Sequence, residues 1–236
     1  MTEPSGVTVA YLGPAGTFTE AALLRFADAG AFGVPEITQL PVASPREALD
    51  AVRDGRAQFA CVAIENSVDG AVTSTFDALV DGGGVQIYHE LEIEIAFSVM
   101  VRPGTALEDV RTFATHPVAH QQVRRWLADH LPDARFVPAS SNAAAAEAVA
   151  EGRADAAAAP DRAAALFGLD VLASEVADMA GARTRFVVVG PTGVPTPRTG
   201  HDNTTVVFTL PNEPGTLVGA LTEFSLRGVD MSRIES

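Results

Sequence analysis

The sequence predicts an α/β fold built as two lobes on one plan, followed by a linker and a short βαβ unit. Three observations carry that expectation. Apolar strand-like runs alternate with capped helical runs from residue 7 to residue 190, the pattern of chains that lay helices against a sheet. Residues 51–60 recur at 148–157, 97 positions on, with six of the ten identical and Asp54 replaced by Glu151. Residues 191–203 hold three prolines and two glycines without periodicity, which marks a linker.

The first lobe opens on an apolar run at 7–12 that reads as a buried strand, and Gly13-Pro14-Ala15-Gly16 turns the chain. Thr17 and Glu20 have capping-box spacing, so a helix starts there and carries Leu23, Leu24, Phe26 and Ala27. Ser44, Pro45 and Glu47 form a second box with proline at the first helical position, opening a helix to Gly55. A strand follows at 59–64, then a helix at about 75–80 ended by Gly82-Gly83-Gly84. In 89–101, Leu91, Ile93, Ile95 and Phe97 alternate with Glu92 and Glu94, a half-buried strand placed as the crossing between lobes.

The second lobe repeats the scheme. A strand near 110–115 leads to His116-Pro117, and a helix bears Val123, Trp126, Leu127 and Leu131 on one face. Ser141, 97 residues after Ser44, opens an alanine-rich helix, and 184–189 is a further strand. Such alternation implies parallel sheets with ligands at the C-terminal strand ends. The lobes are expected at 7–100 with 184–190, and at 101–183. In 204–236, a strand at 204–210, a helix marked by Leu217, Leu221 and Phe224, and a strand at 229–234 form the tail unit. Two strands and one helix are not stable alone, so this unit needs a partner surface or further residues.

Composition narrows the chemistry. All 16 basic residues are arginine against 30 acidic ones, giving a net charge of −14. Without lysine there is no Schiff base and no phosphate-loop lysine. One cysteine, Cys61, allows no internal disulfide and no multi-cysteine metal site. The acidic balance argues against nucleic acid or an anionic membrane as partner. No run is long enough to span a bilayer and the N-terminus has no basic cluster, so the expected compartment is the cytoplasm.

Several segments could carry chemistry. Glu65-Asn66-Ser67 puts a carboxylate, an amide and a hydroxyl at a strand end; taken alone it reads more readily as a polar cap. Gly13-Pro14-Ala15-Gly16-Thr17 leads into a helix N-terminus suited to an anion, though taken alone it reads more readily as a plain strand–helix turn. In a regular strand Thr184 and Phe186 face one way and Arg185 the other, so joint contact of Thr184 and Arg185 with a ligand requires the strand to begin after them. His116 is a candidate for titration near neutrality but reads more readily as a helix-start polar residue. No spacing is convincing as a metal site.

Taken together, these segments resemble the prephenate dehydratase family. The carriers are 11–18, Ile64-Glu65-Asn66-Ser67 with Gly70, Ser141, and Thr184-Arg185-Phe186. The tail resembles the start of an ACT regulatory domain through Gly215-Thr216-Leu217-Val218 and Arg233-Ile234-Glu235-Ser236. The resemblance implies a catalytic domain at 7–190 shaped like a type II periplasmic binding protein, then half of a ferredoxin-like ACT βαβ unit. It implies loss of CO2 and water from prephenate to give phenylpyruvate for phenylalanine synthesis, with no cofactor because aromatisation drives the reaction. Thr184 matches the essential threonine and is read as a hydrogen-bond donor to the departing oxygen, with Glu65 as reserve proton donor. Arg185 would hold a substrate carboxylate, and Thr17, Asn66, Ser67, Ser141 and Phe186 would complete the binding site. Gly215, Thr216, Leu217, Val218, Glu235 and Ser236 would bind L-phenylalanine as effector, in a homodimer or homotetramer.

Departures from the family pattern are Ala182 where asparagine is common, Asn142 after Ser141, and Thr216 where alanine is common. The effector motif also stops at Ser236, so a truncated chain with impaired phenylalanine binding is expected. The alternative reading is a non-catalytic two-lobed small-molecule binding module.

Overall fold

The computed structural model describes residues 6–234, and the chain divides into two units between Thr196 and Pro197. The first unit runs β1 (Val7–Leu12), α1 (Phe18–Asp28), β2 (Ile37–Val42), α2 (Pro45–Arg53), β3 (Phe59–Asn66), β4 (Gly70–Ala71), α3 (Thr73–Val80) and β5 (Val85–Glu94). It continues through β6 (Ser98–Val101), β7 (Thr112–Thr115), α4 (Pro117–Gln122), α5 (Arg124–His130) and β8 (Arg135–Pro138). The remaining elements are α6 (Asn142–Ala150), β9 (Ala156–Ala159), α7 (Asp161–Phe167), β10 (Asp170–Ala173) and β11 (Arg183–Pro191).

Two sheets result, each the centre of one lobe. Their orders are β2-β1-β3-β11-β5, with β4 on β3, and β8-β7-β9-β6-β10. The sheets are mixed, which corrects the expectation of parallel ones. β1 is parallel to β2 and β3, and β7 to β8 and β9, but β11 runs antiparallel to β3 and β5, and β6 antiparallel to β9 and β10. The antiparallel members β6 and β11 each arrive from the other lobe. The crossing expected as one strand is broken at residues 95–97: β5 belongs to the first sheet and β6 to the second.

The repeat is structural. Ser44 and Ser141 cap α2 and α6, their Oγ atoms accepting from Glu47 N–H at 3.1 Å and Ala144 N–H at 3.0 Å. Gln58 Oε1 accepts from Thr8 N–H at 2.8 Å; Asp155, 97 residues on, accepts with Oδ2 from Thr112 N–H at 2.9 Å. Each side chain thus secures the start of its lobe's central parallel strand. One core spans both lobes, with Tyr11, Phe26 and Phe186 from the first and Phe113 and Val123 from the second. Phe18 on α1 meets Phe97 of the crossing edge to face, 5.6 Å between ring centres.

In the second unit the predicted helix forms as α8 (Thr216–Leu226), and Phe224 on it lies 6.1 Å from Phe208. The expected flanking strands at 204–210 and 229–234 do not form among the described residues. The two strands of a split βαβ are not neighbours; each needs a third strand beside it, and no described residue of this unit supplies one.

Candidate active site

β11 and β3 bring the central pair together. Thr184 lies opposite Asn66, and Arg185 opposite Glu65. The register then shifts, Phe186 pairing with Ala63, so Ile64 has no opposite residue. This bulge re-aims the end of β3: it sets Asn66 on the face of the sheet where Thr184 and Phe186 lie. Asn66 Nδ2 donates to Thr184 Oγ1 at 2.9 Å, while Asn66 Oδ1 accepts from the N–H groups of Val68 and Asp69 at 2.8 and 3.1 Å. Thr184 is 6% exposed. With the amide donating to it, the threonine hydroxyl keeps its own proton to give. Ser67 clamps the turn to β11: its N–H donates to Arg183 O at 2.8 Å and its Oγ accepts from Arg183 N–H at 2.9 Å.

Arg185 is not brought to Thr184. β11 is regular from Arg183 and its ladder with β5 is unbroken through Arg185, so alternation turns the two side chains to opposite faces. The condition under which both could touch one ligand is therefore not met. The Arg185 guanidinium lies 3.0 Å from a Glu65 carboxylate oxygen and 3.4 Å from one of Glu90. Glu65 is thereby held on the face away from the Thr184 hydroxyl. Phe186 is buried in the shared core.

A second group of residues lines a cavity of about 620 Å³ between the lobes. The first lobe contributes Thr17, Phe18, Thr19 and Glu47, the second His116, Ser140, Ser141 and Asn142. Thr17 is the N-cap of α1: its Oγ1 accepts from Glu20 N–H at 3.2 Å and donates to Leu12 O at 3.2 Å. Gly13 is required by close approach, because a Cβ there would lie 2.7 Å from Pro41 Cβ. Asn142 Oδ1 accepts from Thr115 Oγ1 and from His116 N–H, each at 3.2 Å.

His116 is the helix-start residue expected, the N-cap of α4, and it also stands in the cavity wall. Its Nδ1 accepts from Val118 N–H at 3.3 Å, which puts the proton of the neutral ring on Nε2. Burial pushes its pKa below the ordinary histidine value, keeping the ring neutral. Asn142 and Glu47 also went unassigned, since their only sequence signal was a position at a helix start. Among the described residues no three His, Cys, Asp or Glu side chains gather as a metal-holding group. Gly215, Thr216, Leu217 and Val218 form the start of α8 in the second unit, with Leu217 and Val218 exposed. Glu235 and Ser236 lie outside the described residues.

Fold and site together define a two-lobed α/β protein with an interlobe cavity walled by hydroxyls, an amide and a neutral imidazole, and a threonine–asparagine pair at a strand end. A family-wide sequence profile described as prephenate dehydratase matches residues 9–193. The prephenate dehydratase of Corynebacterium glutamicum is 65% identical over 228 residues, covering 97% of this chain and 72% of that protein. The crystal structure of prephenate dehydratase from Arthrobacter aurescens in complex with L-Phe superposes with a TM-score of 0.89 at 43% identity, over 98% of this chain and 75% of that one. The chain belongs to the prephenate dehydratase family. A protein described as a novel type of quorum-quenching acylase also shares the fold, with TM-score 0.74 and 30% identity over 97% of this chain and 81% of that one. The frame thus hosts more than one chemistry, and function rests on the site.

Proposed function

We infer that the chain is a prephenate dehydratase, a carbon–oxygen lyase that converts prephenate to phenylpyruvate, CO2 and water. The observation that carries the mechanism is the Asn66–Thr184 hydrogen bond. As the ring carboxylate leaves as CO2, its bonding pair enters the ring, the ring becomes aromatic, and the C4–O bond breaks with its electrons on oxygen. The departing oxygen needs a donor aimed at its growing charge. Thr184 supplies one, with Asn66 fixing the hydroxyl so that its proton points outward. The hydroxide so formed takes up a proton from solvent to become water, while Thr184 keeps its own.

Arg185, engaged by Glu65 and Glu90, ties β3, β11 and β5 together in this reading and does not grip substrate. The donors offered to the substrate's carboxylates are His116 and the first-turn N–H groups of α1 and α6. We read phenylalanine as the family's effector, supported by the L-Phe complex of the Arthrobacter protein. The exposed Val206, Phe208 and Leu226 of the second unit support self-association as a homodimer or homotetramer. No helix among the described residues is long and apolar enough to cross a membrane, and we place the enzyme in the cytoplasm.

Incubation with prephenate, following phenylpyruvate spectroscopically and running arogenate in parallel, tests the assignment. Phenylpyruvate is expected from prephenate. Saturable prephenate binding without product would return the chain to the non-catalytic binding module.

A further inference from the structure

One carboxylate joins the two walls of the cavity from behind. Glu20, in the first turn of α1, is 4% exposed. Its Oε2 accepts from Gly16 N–H at 2.8 Å in its own lobe and from Arg162 Nε at 2.9 Å on α7 of the other lobe. Gly16 is where the second lobe presses on the first. Its φ is +87°, and a Cβ there would meet Leu166 Cδ2 at 3.3 Å, Ala143 Cβ at 3.4 Å and Ala163 Cα at 3.6 Å. Gly16 is followed by Thr17 in one cavity wall, and Ala143 is preceded by Ser141 and Asn142 in the other.

We propose that Glu20 and Arg162 are a positioning pair that holds the Thr17 and Ser141 walls at the spacing substrate needs. Neither side chain lines the cavity, so the pair acts through the turn and the helices it joins. The carboxylate is buried while Arg162 is 48% exposed, so loss of the arginine leaves a charge the interior cannot solvate. The lobes respond by parting to admit water. An opened cavity weakens ground-state and transition-state binding alike, which raises KM and leaves kcat in place.

The kinetic arm rests on prephenate being the substrate. Steady-state kinetics of Arg162→Gln, Glu20→Gln and the double variant form a cycle; Glu20→Gln retains an acceptor for Gly16 N–H. Each single change is expected to raise KM about tenfold with kcat within about twofold, and the double variant to be no worse than either single. Arg162→Lys is expected to recover part of the loss. A KM within about twofold of wild type in both single variants overturns the pair even if both melt earlier, as do additive effects. Wild-type protein that makes no phenylpyruvate would sink the functional assignment instead. The pair is then judged by amide hydrogen exchange at residues 13–19: faster exchange in Arg162→Gln supports it, and unchanged exchange overturns it.

Discussion

In the first lobe β3 runs on to Asn66, whereas its repeat partner β9 stops at Ala159, the counterpart of Val62, and gives way to Pro160 and α7. The two lobes share strand order, the serine caps of α2 and α6 and the strand-start clamps, and this edge is one place where they diverge. The longer strand delivers Asn66 to Thr184. The shorter one puts Arg162, the counterpart of Glu65, onto Glu20 of the opposite lobe. One duplicated frame therefore gives the proposed donor Thr184 its amide partner in one copy and forms an ion pair between lobes in the other, and strand length decides which. The strands also differ in bulk: β9 is four alanines, all fully buried, where β3 carries Phe59, Cys61, Val62 and Ile64.

The largest expected effect lies at the edge that belongs to the first lobe alone. Thr184→Val keeps shape and removes the hydroxyl. kcat should fall about 10²- to 10³-fold, as for loss of one donor to a developing oxyanion, with a stability loss of about 1 kcal/mol as Asn66 Nδ2 loses its acceptor. Full turnover would show that the hydroxyl is not the donor. Arg185→Ala comes next and separates a strap from a substrate grip. It should cost about 2 kcal/mol in denaturant unfolding by leaving Glu65 and Glu90 without their shared cation, with KM nearly unchanged. A large rise in KM at constant stability would return Arg185 to the substrate.

The two strand-start clamps perform one task with different chemistry. Asp155→Ala should cost about 2 kcal/mol and Gln58→Ala about 1 kcal/mol, because hydrogen bonds to a charged acceptor are the stronger. Burial works to raise the Asp155 pKa, but Thr112 Oγ1, the N–H groups of Arg111 and Thr112, and Arg102 together hold it below the ordinary value. A lowered folded-state pKa means the clamp's contribution is complete above about pH 4. It is lost as pH falls through the lower folded value. Acid unfolding of Asp155→Asn should be flatter in that window, whereas Gln58 has nothing to titrate. Burial also lowers the pKa of His89 in the first lobe and of His116 and His120 in the second, Arg124 adding to the effect at His120. The unfolded chain takes up these protons first, so stability should already decline as pH drops below about 6.5. Replacing His116 and His120 by Gln should blunt that decline more than replacing His89.

The smallest effect tests the caps. Ser44→Ala and Ser141→Ala should each cost about 1 kcal/mol of stability. Ser141 alone lines the cavity, so only its loss should also raise KM. Equal kinetic effects would remove the functional difference between the two capped helices.

Local chemistry was legible wherever a few adjacent residues carry the signal. The boxes at Thr17–Glu20 and Ser44–Glu47, the repeat at 97 residues and the linker each rest on near-neighbour bonds or composition. β9 was not legible, because alanine has no strand signature and only its neighbours β6 and β7 make it one. β10 is a strand only through β6, and β2 and β8 only through β1 and β7. The Asn66–Thr184 pair spans 118 positions; the residues were nameable in advance, but the Ile64 bulge that aims them was not.

What the sequence determined by itself is the duplicated α/β plan, the capped helices and the residues from which a site could be assembled, since each follows from short-range bonding and hydrophobic period. Only the tertiary structure decided which of those residues share a face. Strand alternation sent Arg185 away from Thr184, a register shift brought Asn66 to it, and contact between lobes made a helix-start carboxylate into a link between the lobes behind the cavity. Facing depends on pairing partners more than a hundred residues distant, and no local propensity encodes it.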